Sequence, residues 1–420
     1  MIEYSREKTR ALLFAVHLKA EKFEITSDSL SEMESLAHTL GFEIVGKDYQ
    51  TRDRLDSKSY LGTGKLNALK RFIKENRVNL ILFDRELSPN QGKSIETYLK
   101  CMVWDRTQLI LEIFASHART PESRDQVELA QLHYMLPRLV GLWAHLDREK
   151  GGIGASKGTG EKQITIDRRL IGRRISRLEK SLKKVASERQ TQAKQRVSCF
   201  QIGVVGYTNA GKTSLINRLT GAELREEDKL FATLESATRI LPSKIKPMIL
   251  VSDTVGFIRN LPHDLVASFR STLSVVRNAD LLLHVVDASS PNIEQHIETT
   301  EQVLEEIGAD AIPRLLVLNK SDLVPDRLDR LILSKSYPES EMVSVHDEPS
   351  IEALKQRIET HFQMGFTRDN LTLPYDKADI LSRLYQLGTV EEVKYENDGI
   401  HITHAINQTN KKILSSLLNR

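Results

Sequence analysis

Over the first hundred residues, short apolar runs alternate with stretches of helical spacing. Ala11–Leu18 reads as a strand, and Phe42–Val45, Asn79–Phe83 and Cys101–Trp104 repeat the pattern. Between them, Ser29–Leu40, Lys65–Glu75 and a stretch from Pro89 carry helical periodicity. Gly41 stands where a helix end turns left-handed, and Ser88-Pro89 pairs an N-cap with proline at the first helical position. Alternating β and α predicts a parallel sheet with covering helices across residues 1–120. Gly62-Thr63-Gly64-Lys65 lacks the spacing of a phosphate loop and reads as a turn that opens a helix.

The period changes over residues 121–197. Leu129, Leu132, Leu136, Leu139, Trp143 and Leu146 form one seam of 3- and 4-residue spacings, and Ile171, Ile175, Leu178, Leu182 and Val185 form another. Pro137 should kink the first helix. Between the seams, 147–163 holds Gly151, Gly152, Gly154, Gly158 and Gly160. Two seams joined by a flexible loop predict a long antiparallel helical hairpin with a Gly-rich tip. Residues 198–364 return to the β/α pattern. Residues 365–420 read as a small βαββα module with a hairpin turn at Asn397-Asp398-Gly399. The expected fold is therefore α/β and multidomain: an N-terminal parallel α/β subdomain, the hairpin, a second β/α domain and a C-terminal α+β module.

Composition sharpens this picture. The 420 residues are 40% hydrophobic and 28% charged, enough to bury real cores. No apolar run is long enough to span a membrane, and the opening residues read as a strand rather than a signal peptide. Two distant cysteines exclude a disulfide framework and a Cys-based zinc site, so a cytoplasmic protein is expected. Net charge is only +3, but residues 138–196 hold 16 Lys and Arg against 6 Asp and Glu. That basic segment, set in an otherwise acidic chain, points to a localised polyanion contact.

The chemistry lies in the third domain. The strand Phe200–Val205 runs into Gly206-Tyr207-Thr208-Asn209-Ala210-Gly211-Lys212-Thr213, and a helix begins with Ser214. This is a phosphate loop in its required strand–loop–helix context. Its amides turn inward on phosphates, Lys212 reaches the β- and γ-phosphates, and the Thr213 hydroxyl suits Mg2+. Asp253-Thr254-Val255-Gly256 follows a strand, placing Asp253 near the metal and the Gly256 amide on the γ-phosphate. In Asn319-Lys320-Ser321-Asp322, the Asp322 carboxylate can accept from guanine N1–H and the exocyclic amine, so GTP rather than ATP is expected. Thr233 lies in a loop that can close over Mg2+. Lys212, Thr233 and Gly256 are the expected catalytic groups. Phe257 stands where many GTPases carry a water-orienting Gln, which implies slow intrinsic turnover. The Asn209 oxygen is a candidate ligand for K+ beside the phosphates.

These strings together resemble the HflX family of ribosome-associated GTPases, over nearly the whole chain. The resemblance rests on Tyr60-Leu61-Gly62-Thr63-Gly64-Lys65, Leu87-Ser88-Pro89-Asn90-Gln91 and Asp105-Arg106-Thr107. It continues through Gln126-Val127-Glu128-Leu129-Ala130-Gln131-Leu132, Gly151-Gly152-Ile153-Gly154 and Asp167-Arg168-Arg169. In the third domain it is carried by Phe231-Ala232-Thr233-Leu234 and by Asp253-Thr254-Val255-Gly256-Phe257-Ile258 with Leu261-Pro262. The resemblance implies binding to the large (50S) ribosomal subunit in the GTP state, with the tip reaching toward the peptidyl-transferase region of 23S rRNA. It also implies splitting of stalled ribosomes under stress; assembly of the large subunit is the alternative. The rRNA contacts would include Lys157, Lys162, Arg168, Arg169, Arg173, Arg174 and Arg177, and Phe231 would join the nucleotide site. The chain is expected to be monomeric off the ribosome. Where the family's tip commonly reads Gly-Pro-Gly-Glu-Thr-Gln, this chain has Gly158-Thr159-Gly160-Glu161-Lys162-Gln163. The last guanine motif, commonly Ser-Ala, is Ser344-Val345-His346 here. The family has been linked to ATP binding by its N-terminal part, but no second phosphate loop occurs in residues 1–196.

Overall fold

In the computed structural model, Arg10–Leu18 forms strand β1 and buries both faces, with Leu13, Phe14, Ala15 and Val16 fully covered. The residues described are 9–54, 60–139, 159–195, 199–222, 230–231, 237–259 and 270–418. They fall into two compact units. The first spans 1–185 with 228–234 and 260–269; the second takes the remainder.

In the first unit, β1 pairs in parallel with β2 (Glu43–Arg52) on one side and β3 (Leu80–Phe83) on the other, and β4 (Met102–Asp105) follows β3. The order β2-β1-β3-β4 reverses direction between β1 and β3. β2 is longer than its apolar start suggests. It is an edge strand whose half-exposed, polar residues continue to Arg52, so hydropathy alone hides its end. The first helix runs Phe23–Thr39, beginning before Ser29. Ser29 lies inside this helix, and its hydroxyl donates to Asp84 at 3.4 Å. Gly41 takes φ +77 just past the helix end, as the sequence predicts. Ser88 and Gln91 form a reciprocal capping box at the helix Pro89–Leu99.

The helix Pro121–Met135 and the part of the helix Thr159–Gln195 that belongs to this unit bury the predicted seams against each other. Leu129, Leu132 and Leu136 meet Ile171, Ile175, Leu178 and Leu182. Pairing runs antiparallel, since Glu128 bonds Arg174 while Asp125 bonds Ser181. The second helix already begins at Thr159, so Gly160–Gln163 is helical and the Gly-rich tip is shorter than 147–163. Glu161, Lys162 and Gln163 are good helix formers, which accounts for the extra turn. Trp143, Leu146, Gly151, Gly152, Gly154 and Gly158 lie outside the described residues.

The second unit holds a six-stranded sheet of β5 (Phe200–Gly206), β6 (Thr238–Leu241), β7 (Ile249–Ser252), β8 (Leu281–Asp287), β9 (Arg314–Asn319) and β10 (Glu341–Met342). The order is β10-β9-β8-β5-β7-β6, parallel except for β6. Ile202, Val204, Leu283, Val285 and Val317 fill its core with Leu215 and Ile216 of the helix Lys212–Thr220. The βαββα module appears as β11 (Phe366–Leu373), a helix Asp379–Leu387, β12 (Thr389–Glu396), β13 (Gly399–Asn407) and a helix Gln408–Leu418. Its sheet order is β11-β13-β12, and Gly399 closes the predicted turn. Both cysteines are free. Among the described residues no helix is long and apolar enough to cross a membrane.

Candidate functional site: a phosphate loop with a guanine-type motif

β5 is the central strand of the second sheet, and the loop 206–213 leaves its carboxyl end, where open parallel sheets bind ligands. Two glycines are dictated by their neighbours. A Cβ on Gly206 (φ +148) would lie 2.1 Å from the Val285 carbonyl oxygen. On Gly211 (φ +84) it would lie 2.3 Å from Asn319 Nδ2. Asn209 adopts φ 59, a left-handed position that Asn tolerates.

Lys212 begins the helix and is 7% exposed. Its ammonium donates to the Tyr207 carbonyl at 2.8 Å and the Gly206 carbonyl at 3.1 Å. Burial lowers its pKa to about 8, against the opposing pull of Asp253. Asp253 is fully buried at the end of β7. The Thr213 hydroxyl donates to it at 2.8 Å, and the Thr254 amide donates to its other oxygen at 2.9 Å. Thr213 and Asp253 thus offer two hard oxygen donors side by side, a set that fits a divalent cation. Gly256 lies against Thr208 and Lys212, so that an added Cβ would meet each at about 3 Å.

At the other end, buried Asn319 donates from Nδ2 to the Ala210 carbonyl at 2.9 Å, tying the third motif to the first. Lys320 pairs with Asp287 at 2.8 Å. A side-chain hydrogen bond with Ser344 holds the exposed Asp322 carboxyl below the usual range. Ser344 accepts from the His346 amide at 3.2 Å, and Val345 packs on the core. The structure therefore brings Gly206–Ser214, Asp253 and Gly256 together and sets Asp322 beside Ser344. Thr233 lies outside the described residues. Phe231 groups with the first unit, where its ring meets Phe114 edge-on at 4.7 Å. Motif reading missed Asp287, whose signal is its place at a strand end facing Lys320. It also missed Thr254, whose hydroxyl donates to the Val204 carbonyl at 2.6 Å.

On the hairpin, Arg169, Gly172, Arg173, Ser176, Arg177 and Lys180 line an open groove along the long helix. Arg168, Arg169, Arg173 and Arg177 are exposed. Arg174 differs. Its guanidinium grips both oxygens of Glu128, at 2.7 and 2.5 Å, so it braces the hairpin instead of standing free for phosphates. Lys162 lies within the helix, and Lys157 lies outside the described residues.

Three family models match in succession. They are described as GTP-binding GTPase N-terminal (27–115), GTP-binding GTPase Middle Region (117–196) and 50S ribosome-binding GTPase (201–320). The GTPase HflX of Alkalihalophilus pseudofirmus is 44% identical over 82% of this chain and 80% of its own. That of Caldanaerobacter subterraneus subsp. tengcongensis is 40% identical over 96% and 92%. A crystal structure of a GTP-binding protein from Sulfolobus solfataricus in complex with GDP covers 84% of this chain and 98% of its own at 27% identity, with a TM-score of 0.43.

Proposed function

The chain belongs to the HflX family of GTPases and hydrolyses GTP, and on that premise we propose that it binds the large ribosomal subunit in its GTP state and splits stalled ribosomes under stress. The observation that carries this reading is the cationic groove of the hairpin. Four cations flank the small residues Gly172 and Ser176 on one helix face, a shape and charge that suit a phosphodiester backbone. The family model described as a 50S ribosome-binding GTPase supports the choice of polyanion. On this reading Arg168, Arg169, Arg173 and Arg177, with Lys157 and Lys162 nearer the tip, meet 23S rRNA.

The nucleotide chemistry follows from the loop. Amides of Gly206–Thr213 cradle the phosphates, and Lys212 leaves two carbonyls to reach the β- and γ-phosphates. Thr213, Asp253 and Thr233 would hold Mg2+, which supplies charge neutralisation of the phosphates when bound. The Gly256 amide senses the γ-phosphate, while Asn319, Lys320, Asp322 and the Ser344–His346 segment select guanine. Phe257 offers no group to orient water, so the bound subunit, or K+ held at Asn209, accelerates turnover. Hydrolysis then resets the switch and permits release.

Sedimentation of intact ribosomes with the protein tests the reading. Splitting is expected with GTP and with a nonhydrolysable analogue, and not with GDP. Nucleotide-independent sedimentation would overturn it. Large-subunit binding without splitting would replace it with the assembly role.

A further inference from the structure

The phosphate loop and the segment after Asp253 are tied together by more than their motifs require, and Tyr207 takes part through both its backbone and its side chain. The backbone of Tyr207 forms a parallel β-bridge with Phe257. That bridge consists of two bonds: the Phe257 amide donates to the Gly206 carbonyl at 3.1 Å, and the Thr208 amide donates to the Phe257 carbonyl at 2.7 Å. The Tyr207 hydroxyl accepts the Arg259 amide at 3.0 Å. Its ring stacks on His296, with centroids 4.0 Å apart and planes 13° from parallel. His296 belongs to the helix Ile293–Glu306, and the neighbouring Gln295 holds the Arg259 guanidinium at 2.5 Å. The Tyr207 carbonyl also takes the Lys212 ammonium.

These contacts have a steric consequence. One added carbon on Gly256 would already stand 3.0 Å from Lys212 Nζ and 2.9 Å from Thr208 Cγ2. The Gly256 backbone thus packs directly on Thr208 and Lys212, and making room for a γ-phosphate there would require Lys212 to leave its carbonyls and the Gly256–Arg259 segment to withdraw. Withdrawal must break the bond from the Arg259 amide to the Tyr207 hydroxyl together with the two backbone bonds at Phe257. A diphosphate, ending one group short, makes no such demand.

We propose that Tyr207 is the positioning residue of a latch that holds Gly256–Arg259 shut over the phosphate loop and thereby sets how readily the protein admits a triphosphate over a diphosphate. The latch rests on the nucleotide reading of the loop given above. Because Gln295 of the helix Ile293–Glu306 holds Arg259, opening the latch also releases a contact of that helix, which gives the nucleotide state a route out of the loop. The phenol oxygen is separable from the ring: phenylalanine keeps the stack on His296 and removes the acceptor for Arg259.

The test uses the full chain and stopped-flow binding of fluorescent GTP and GDP derivatives. Tyr207→Phe is expected to tighten the GTP derivative about three- to tenfold relative to the GDP derivative, the Boltzmann weight of one ordinary hydrogen bond. Most of the gain should appear in the association rate. Gln295→Ala, which loosens the other end of Arg259, should act in the same direction and less. A merely structural role would weaken both nucleotides together, so a GTP-to-GDP ratio equal to the parent's in both variants overturns the latch. Lys212→Ala separates the two levels. If it binds GTP normally, the nucleotide reading itself falls; if it loses GTP while Tyr207→Phe keeps the parent ratio, only the latch falls.

Discussion

Each unit of the molecule contains a Gly-x-Gly-Lys or Gly-Lys sequence at the start of a helix, and the two are built on opposite principles. In the first unit, Gly62-Thr63-Gly64-Lys65 opens the helix Thr63–Asn76. Gly62 has φ −73, open to any residue, and a Cβ on Gly64 would meet nothing within 4 Å. Lys65 is half-buried and makes an ordinary ion pair with Asp48 at 2.6 Å. In the second unit, Gly206 and Gly211 are held in left-handed conformations against backbone and side chain, and Lys212 is buried on two carbonyls. What separates a phosphate loop from a helix start is thus the crowding around its glycines, which sequence conveys only through spacing.

Substitution should expose the contrast most strongly at the glycines. Gly206→Ala is expected to destabilise the second unit by about 3 kcal/mol or more, through overpacking and backbone strain together. Thermal unfolding followed by nucleotide-binding capacity measures this. At the lysines, Lys212→Ala should lower GTP affinity about 100-fold, the loss of a buried charge-assisted hydrogen bond. Lys65→Ala should cost at most about 1 kcal/mol of stability, as its ion pair is partly exposed.

The buried charges of the two units should respond to pH with opposite signs. Asp84 lies at the end of β3, 4% exposed, with Oδ1 lacking a hydrogen-bond partner among the described residues. Burial raises its pKa from 3.8 to about 6. The folded protein therefore keeps a proton there that the unfolded chain releases, and the first unit loses stability as pH rises through that window. Lys212 is lowered from 10.5 to about 8. Between those values the unfolded chain binds the extra proton, so the second unit gains stability as pH rises. Trp104 lies on β4 of the first unit, so in a Trp143→Phe background its fluorescence reports that unit. Asp84→Asn should flatten its acid-side slope; an unchanged slope would assign that slope elsewhere. The smallest effect is expected at Gly64→Ala, a gain of about 0.5–1 kcal/mol from a stiffer unfolded chain.

Spacing made most of the nucleotide site legible, because a loop that wraps phosphates has few ways to be written. Gly206–Thr213, Asp253, Gly256 and Asn319 converge as the motifs imply. Seam periodicity likewise identified the partners in the hairpin core. What escaped has no local signature. The stack of Tyr207 on His296 joins residues far apart in sequence, and neither belongs to a periodic pattern. Arg174 looks like its neighbours until Glu128 is seen across from it. The continuation of β2 to Arg52 is polar, and only its pairing with β1 makes it a strand.

The clamp between Arg174 and Glu128 also bears on mechanics. Sliding one arm of the hairpin past the other by a single turn would carry the guanidinium about 5.4 Å from its carboxylate and unseat every interdigitated leucine. Shear along the arm is therefore resisted by a two-pronged bond and an apolar zipper at once. Along this packed stretch the two helices are thus expected to move as one body under load.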